Sequence, residues 1–485
     1  MNRLALRAAI HIAAIFALYL SVAMLIPAAV DLYYGNSDWQ VFALSALVLG
    51  GFSLAVALAT HGAQPAVTPR FGFLLINMLW LTMAAAGALP LMGGSLNLSL
   101  TDALFEAVSA VTTTGSTVIT GLDHLPPGIL MWRSILNWAG GLGVIALGLF
   151  LLPFLKVGGV TYFKMESSDI QDRPYARVAT FTLSIFGIYG GLTLLCALAY
   201  SAAGMGGFDS INHAMATLAT GGFSTHDSSF GFFGGNYAIL WVSTIFMFIG
   251  GLPFSILILF ALRGRFEALR DPQILVYAFY TLSIIIIAAV YLRVSNGASL
   301  LSAVTHSAFN VVSIITTTGF VSDDYTLWGP FAVACLFVAT FLGGCSGSTA
   351  GGIKAYRFLI LFKMMGIGLR KLIYPNSVAS VRYGDRIIDT DMQRAVMMFI
   401  ASFLVIWAIS TVLLAATGLD LLTSITGALT ALTNVGPGFG DIIGPAGNFA
   451  PLPDMAKWIL ALLMLLGRLE ILVVLIMFSP AFWRG

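Results

Sequence analysis

The sequence predicts an all-α polytopic membrane protein in which four parallel units surround a pseudo-fourfold axis, preceded by an N-terminal pair of spans. Three observations predict this class. Hydrophobic residues make up 59% of the 485 residues and charged residues 9%, against roughly 25% charged in soluble domains. Apolar runs long enough to cross a bilayer recur along the chain. One short pattern that ends in glycine also returns four times.

The apolar runs extend through the whole chain, by the rule that about 20 apolar residues cross the hydrocarbon core. They lie near 9–30, 40–59, 71–92, 127–155, 177–204, 236–262, 273–292, 328–363, 395–416 and 454–480. The first run follows Arg3 and Arg7, as in a signal peptide, but it is too long for the apolar part of one. We therefore expect lipid around most of the chain. The net charge of +2 indicates no nucleic-acid partner.

The basic residues predict the orientation of the spans. With the N-terminus in the cytoplasm, cytoplasmic segments hold all but four of the 23 Lys and Arg residues. The four are Arg133, Arg293 and Lys457, at the outer ends of spans, and Arg468, the only one deep within a span. Because cytoplasmic loops are enriched in Lys and Arg, we expect both termini in the cytoplasm.

The repeated pattern is a short helix followed by a turn. In each copy the last glycine of the turn comes 13 residues after the start of the helix, at Asp102, Asp209, His306 or Thr423. The turns are Thr112-Thr113-Thr114-Gly115, Ala219-Thr220-Gly221-Gly222, Thr316-Thr317-Thr318-Gly319 and Thr433-Asn434-Val435-Gly436. Two spans separate successive copies. Since two is an even number, all four units enter the membrane in the same sense and their turns converge on one axis.

The chemistry of these turns suits a cation on that axis. A short helix that enters from outside points its C-terminus, with a partial negative charge, at the membrane centre. Non-helical backbone at this depth is tolerated where it is buried or lines water, and glycine allows the left-handed angles that turn carbonyls toward one axis. The alternative is a glycine helix cap in a re-entrant loop. Glu106 and His213 share one register and could brace the turns from behind.

The four copies and the spans between them resemble the Trk/Ktr/HKT superfamily of potassium transport proteins over nearly the whole chain. The extra N-terminal pair of spans is similar to the TrkH/TrkG branch rather than the KtrB branch. The resemblance implies that the sixteen turn residues form a potassium-binding filter, with potassium as the transported substrate, in a bacterial inner membrane. It also implies a homodimer and a cytosolic TrkA-like nucleotide-binding regulatory ring, for which this chain itself carries no nucleotide motif. The segment from Arg370 to Arg394 is the predicted docking surface.

The second span of each unit carries small residues, and in the third unit they form a glycine-rich loop. This loop consists of Gly343, Gly344, Cys345, Ser346, Gly347, Ser348, Thr349, Ala350, Gly351 and Gly352. A continuous helix through it would cost several times the ~1 kcal/mol of each glycine. We therefore predict an unwound loop beneath the turns, and the resemblance implies that this loop acts as a gate.

Arg468 occupies the corresponding place in the fourth unit. An arginine this deep costs at least about 2.5 kcal/mol unless it has a partner or water. Glu470, two residues on, does not share its helical face. One interpretation is a buried ion pair that fixes helix packing. The resemblance implies the other, an arginine that protrudes into the ion pathway as a barrier.

These expectations divide the chain into an N-terminal two-span region, 1–68, and four pore units. The units are 69–165, 166–268, 269–372, which holds the glycine-rich loop, and 373–485. An alternative function is a sodium-coupled KtrB-like potassium symporter. A remoter one is a non-conducting scaffold or membrane enzyme, although no catalytic triad or metal cluster is recognisable in the sequence. We predict a transport protein rather than an enzyme.

Overall fold

The computed structural model describes residues 3–62, 68–146, 174–264, 269–384 and 386–483. The α-helices, numbered α1 to α19 in chain order, are Arg3–Ala23, Leu25–Tyr34, Trp39–Ala59, Pro69–Ala88, Leu100–Val111, Pro127–Ala146, Pro174–Ala202, Gly207–Ala219, Tyr237–Gly250, Phe254–Arg263, Pro272–Ser295, Leu300–Ile315, Pro330–Ala339, Ala355–Ile373, Thr390–Ala416, Leu421–Thr433, Asp454–Arg468, Leu472–Leu475 and Pro480–Trp483. One antiparallel hairpin, β1 (Arg382–Tyr383) and β2 (Arg386–Ile387), is also present.

The helices confirm the predicted class of polytopic membrane protein. Within the described residues, seven helices are long and apolar enough to cross a membrane, and nine spans result if each of two bent helix pairs counts as one. The N-terminal pair packs onto the rest of the chain through α1, which contacts α3 and α4. Asp31 on α2 is fully buried, and its Oδ1 accepts a hydrogen bond of 2.6 Å from the Gly128 N–H in the first turn of α6. The pair is therefore tied directly to the first unit.

Four short helices, α5, α8, α12 and α16, alternate with the longer ones. They contain 12, 13, 16 and 13 residues, too few to cross a bilayer. Three of them begin with a side-chain cap, in which Ser99, Ser299 or Asp420 accepts a backbone N–H three residues later. Such caps satisfy donors that the first helical turn leaves free.

The long helix that follows the short helix packs against the next unit's short helix in three of the units. Helix α6 of the first unit contacts α8 of the second, and α9 of the second contacts α12 of the third. Helix α17 of the fourth unit contacts α5 of the first. Between the third and fourth units, the Phe337 ring on α13 contacts the Phe439 ring after the fourth turn, so the units form a ring.

Two runs that the sequence predicts as single spans are bent. Helices α9 and α10, in the run 236–262, meet at 102°, and α17 and the segment from Leu472 to Phe478, in the run 454–480, meet at 107°. The first bend falls at Gly251 and Pro253, and proline cannot donate the helical hydrogen bond. The second falls at Glu470 and Ile471, whose φ angles are +63° and +24°.

The run at 328–363 is divided by its glycine-rich part, because α13 ends at Ala339 and α14 begins at Ala355. Residues 340–354 form no helix, as expected from their glycine content. The end of the run at 127–155 and the unit boundary at 165/166 lie outside the described residues, and the boundary at 268/269 adjoins another gap in them.

Candidate functional site

The four turns share one backbone geometry. The residue two places before the last glycine is left-handed in every unit, with φ of +52° at Thr113, +50° at Thr220, +55° at Thr317 and +60° at Asn434. The last glycines have φ of +85° at Gly115, +75° at Gly222, +79° at Gly319 and +101° at Gly436. Non-glycine residues adopt such angles rarely, so four matching pairs make the sequence repeat a structural repeat as well.

The turns also contact one another in a closed ring. A Cβ placed on each last glycine would come closer than 3.0 Å to a carbonyl oxygen of the next unit, a distance that real Cβ atoms essentially never show. The contacts run from Gly115 to Gly221, from Gly222 to Thr318, from Gly319 to Val435 and from Gly436 to Thr114. Glycine is therefore required at these positions both by the backbone angle and by the approach of the neighbouring carbonyl.

Hydroxyl and amide groups hold the turns in place. Thr112 and Thr114 share a hydrogen bond of 2.8 Å between their hydroxyls, and Thr316 and Thr318 share the same bond at 2.7 Å. Asn434 donates 3.0 Å to the hydroxyl of Thr114, which joins the fourth unit to the first. All five side chains are fully buried. The repeated threonines thus stabilise the turns within and between units.

The glycine-rich loop lies against the inner ends of the short helices. The N–H of Gly351 donates a hydrogen bond of 2.6 Å to the Thr317 hydroxyl, and the N–H of Gly352 donates one of 2.9 Å to the carbonyl of Thr433. The hydroxyl of Thr349 donates 3.0 Å to the carbonyl of Leu218. The loop therefore bonds to units two and four as well as to its own unit, directly beneath the ring of turns.

The bend in the second unit forms hydrogen bonds with this loop. The carbonyl of Gly251 accepts 2.9 Å from the N–H of Cys345, and the N–H of Phe254 donates 2.9 Å to the carbonyl of Gly347. Both groups are free for the loop because the helix is interrupted between them. Within the loop, the Ser348 hydroxyl donates 2.6 Å to the carbonyl of Cys345. The bend at Gly251 thus supplies backbone groups that stabilise the glycine-rich loop.

Arg468 approaches the loop from the fourth unit. Its side chain is only 4% exposed, and its Nη1 donates 2.8 Å to the carbonyl of Thr349. Its Nε and Nη2 are buried and have no hydrogen-bond partner among the described residues, and no carboxylate of those residues forms an ion pair with it. The interpretation of Arg468 as half of a buried ion pair has no support in this arrangement.

Glu470 instead pairs with Arg357 of α14. Arg357, one of the basic residues expected in the cytoplasmic segments, is buried, and its guanidinium carbon lies 3.6 Å from the centre of the Phe399 ring. Arg357, Glu470, Lys354 and Arg468 line a cavity of about 30 Å³ beneath the loop, large enough for about two waters. Arg468 thus shares this cavity with two other basic residues and one carboxylate.

Arg133 is another buried arginine with a carboxylate partner. Expected at the outer end of a span, it is 1% exposed, and its Nε donates 2.9 Å to the fully buried Glu106. His213, which shares the register of Glu106, lies 3.0 Å from the Ser224 hydroxyl through its Nε2. Both acidic and imidazole groups thus contact the chain that leaves the turns, in agreement with the bracing interpretation.

His226, in the loop after the second turn, is a contact that the sequence did not indicate. Its Nδ1 lies 2.5 Å from Asp123 of the first unit and its Nε2 3.4 Å from Asp209 of the second. Burial lowers the pKa of His226, but hydrogen bonds to Asp209 and Asp123 outweigh it and raise the pKa above its ordinary value. Because Asp123 and His226 are more than a hundred residues apart in the sequence, no local motif predicts this contact.

Comparisons with known proteins extend over this whole arrangement. A family model described as TrkH, cation transport protein, matches residues 40–484. The Trk system potassium uptake protein TrkI of Halomonas elongata is 43% identical over 98% of this chain and 96% of its own length. TrkH of Escherichia coli K12 is 36% identical over 99% of both chains. The crystal structure of the potassium transporter TrkH from Vibrio parahaemolyticus superposes with a TM-score of 0.90 at 34% identity, and covers 99% of this chain and all of its own.

Proposed function

The chain belongs to the TrkH family of cation transport proteins, a family of transporters and not of enzymes, and from that membership we propose that it takes up potassium across the bacterial inner membrane. The observation that carries the proposal is the closed ring of four turns, in which each last glycine abuts a carbonyl of the next unit. The relatives named above are themselves potassium uptake proteins of Trk systems, which agrees with the choice of cation.

In this proposal the four turns are the selectivity filter. Its residues are Thr112–Gly115, Ala219–Gly222, Thr316–Gly319 and Thr433–Gly436. Their backbone carbonyls replace the hydration shell of the ion, as carbonyl rings do in potassium channels. The C-termini of α5, α8, α12 and α16 end at these turns, and their partial negative charges favour a cation there. Potassium is the transported substrate in this scheme, and the chain needs no cofactor.

The glycine-rich loop, 343–352, and Arg468 form the gate of the proposed pathway. The loop bonds to the inner ends of three units, and the guanidinium beside it stays protonated in any plausible environment. A fixed positive charge about 5 Å from a potassium ion, at an effective dielectric near 20, repels the ion by ~3 kcal/mol. That energy corresponds to roughly a hundredfold in rate, which slows leakage and is removed when the side chain moves.

The gate requires a regulatory partner, and we place this partner on the cytoplasmic side. The positive-inside pattern puts both termini there, together with the segment 370–394 that holds the hairpin β1–β2. We propose this segment as the contact for a TrkA-like nucleotide-binding ring, with the membrane subunit as a homodimer. The N-terminal region, 1–68, and the pore units 69–165, 166–268, 269–372 and 373–485 are the proposed divisions of the chain. A KtrB-like sodium symporter is not favoured, since α1 to α3 form the additional N-terminal region of the TrkH/TrkG branch.

The test is potassium-dependent growth of an uptake-deficient bacterial strain, together with cation flux through the purified protein. The wild-type chain should restore growth at low potassium. Gly115→Ser should abolish discrimination between potassium and sodium, because a Cβ there meets the Gly221 carbonyl. Gly121→Ser is the matched control: its φ is +75° but nothing lies within 4 Å of its Cβ position. A wild-type chain without potassium uptake, or a folded Gly115→Ser protein with unchanged selectivity, would contradict the proposal.

A further inference from the structure

Behind the first turn lies a buried ion pair in which every charged atom has a partner. Glu106 of α5 is fully buried, and its Oε1 accepts 2.9 Å from Nε of Arg133. Its Oε2 accepts 2.9 Å from the backbone N–H of Val118. The hydroxyl of Thr117 lies 3.0 and 3.1 Å from the two carboxylate oxygens. The carboxylate therefore fixes Thr117 and Val118, which lie two and three residues after Gly115, the last glycine of the first turn.

Arg133 extends this contact to the second unit. Its Nη1 donates 3.1 Å to the carbonyl of Ser224, and its Nη2 donates 3.2 Å to the Thr117 hydroxyl. Its guanidinium carbon lies 4.1 Å from the centre of the Phe223 ring. Phe223 and Ser224 directly follow Gly222, the last glycine of the second turn. One guanidinium thus fixes the chain after two neighbouring turns, which we call the exit segments, 116–119 and 223–226.

The same register is occupied differently in the other units. The equivalent residues are Glu106, His213, Asn310 and Gly427. His213 donates a hydrogen bond of 2.9 Å from Nδ1 to the Asp209 carbonyl, and its Nε2 lies 3.0 Å from the Ser224 hydroxyl. Asn310 donates a hydrogen bond of 2.9 Å to the Ser322 hydroxyl. Among the described residues, therefore, an ion pair occupies this register in the first unit, an imidazole in the second and an amide in the third, and the glycine of the fourth has no side chain.

This ion pair lies next to the turns, so it can position their carbonyls as well as stabilise the packing of the helices. The carbonyls of Thr114 and Gly221 meet Gly436 and Gly115, the last glycines of the preceding units, and each lies two residues before the start of an exit segment. A buried charged pair in a low local dielectric is stiff, and groups in contact with a binding site are positioned by the shell behind them. The chain after the turn cannot move without stretching these bonds.

We propose that the Arg133–Glu106 pair is a specificity-determining positioning pair, which sets the cation discrimination of the filter by fixing the exit segments of units one and two. The proposal rests on the proposed function. It assigns the pair no contact with the ion. The pair acts on the spacing of the turn carbonyls, so its removal changes which cation the turns prefer rather than whether a pathway exists.

The decisive variant removes both charges at once, as Arg133→Met with Glu106→Gln. Replacing both members of a buried ion pair by neutral residues of similar size is often tolerated, because no charge is left without a partner. A purely structural role therefore predicts a folded protein with unaltered selectivity. A positioning role predicts a folded protein in which sodium competes better with potassium.

The measurement is uptake of radioactive rubidium into liposomes that contain the purified full chain, with potassium or sodium as competitor. We expect the double variant to shift the sodium-to-potassium potency ratio toward sodium by about tenfold, which corresponds to ~1.4 kcal/mol. Arg133→Lys keeps the charge but loses the forked donor, and should give an intermediate ratio. A matched control is Lys457→Met with Asp102→Asn. It removes another ion pair between units, of 2.6 Å, that does not contact an exit segment, and it should leave the ratio unchanged.

Thr117→Val is the second, milder variant. It removes the hydroxyl that joins Glu106 to Arg133 and leaves no charge behind, so it tests the proposal even if the double variant does not fold. A wild-type ratio in the folded double variant, or in Thr117→Val where only that variant folds, would overturn the proposal. Absence of rubidium and potassium uptake by the wild-type chain would instead contradict the proposed function, so the two failures are distinguishable.

Discussion

Two buried arginines, one on each side of the ring of turns, are treated very differently by the fold. Arg133, on the side of the exit segments, is 1% exposed, and Arg468, on the side of the glycine-rich loop, is 4% exposed. Each of the three nitrogens of Arg133 has a partner, and one of those partners is a carboxylate. Among the residues that the structure describes, Arg468 has a single hydrogen bond, to the carbonyl of Thr349, and two buried nitrogens without a partner.

The difference separates a charge that the fold needs in place from one that can move. A buried charge with a complete set of partners is costly to break. A buried charge with unsatisfied donors is itself costly, so any rearrangement that offers it water or an acceptor is favourable. Arg133 bridges two units, whereas the guanidinium of Arg468 has its one hydrogen bond within the described residues to the non-helical backbone of the loop. We therefore call the exit segments with Arg133 the rigid half of the molecule, and the glycine-rich loop with Arg468 the movable half.

The largest expected effect is on stability, from Arg133→Ala. This change strands the buried carboxylate of Glu106 and should cost 3–5 kcal/mol of stability, the usual loss when one member of a buried ion pair is removed. Thermal unfolding of the detergent-purified protein measures it. Arg293→Ala removes an exposed arginine whose hydrogen bond in the described part of the chain goes to the nearby Ala298 carbonyl, and should leave the unfolding temperature nearly unchanged. Equal unfolding temperatures for the two variants would remove the distinction between the two halves.

The next effect is on leakage, from shortening the loop. Deletion of residues 346–348 should raise flux in the absence of a regulatory partner, on the order of a hundredfold if the loop and Arg468 act as one barrier. Deletion of residues 375–377, in the exposed segment after α14, is the control for a shortened chain. Partner-free flux that stays at the wild-type level after the loop deletion would exclude the loop as the gate.

The smallest effect concerns His226, at the same mouth as Arg133 but more exposed. Both ring nitrogens face carboxylates, so the arrangement favours the doubly protonated ring and raises the pKa of His226. A raised pKa in the folded state gives stability that is complete below about pH 6.5, the unfolded value, and is lost as pH rises through the folded value. The difference in unfolding temperature between wild type and His226→Gln should therefore shrink as pH rises above about 6.5. A difference that grows with pH would contradict this.

The rigid and movable halves were not equally predictable from the sequence. The turns were, because a pattern of identical spacing in four copies needs no knowledge of partners. The interruption of the helix at 340–354 was also predictable, because the energetic cost of its glycines is local. The ion pairs of Arg133 and Arg357 were not predictable, for the opposite reason. Their partners, Glu106 and Glu470, lie 27 and 113 residues away in the sequence, and only the fold brings them together.

The breaks within the two bent runs are hard to locate from hydropathy for a related reason. Gly251 and Pro253 interrupt an otherwise apolar run, and hydropathy counted over about 20 residues averages such a short break away. At Glu470 and Ile471 the helix breaks without a glycine or proline at either position. The left-handed angles there depend on contacts such as the ion pair with Arg357, which local propensity does not encode.

The most direct test of the contrast is a paired measurement on Arg468→Ala. The account predicts a folded protein, with an unfolding temperature close to that of wild type, and basal potassium flux raised on the order of a hundredfold. Arg468→Lys should retain part of the block, since it keeps a positive charge on a shorter fork-free side chain. A sample of Arg468→Ala that unfolds as early as Arg133→Ala, with unchanged or lower flux, would show that both arginines serve the fold and would contradict the account.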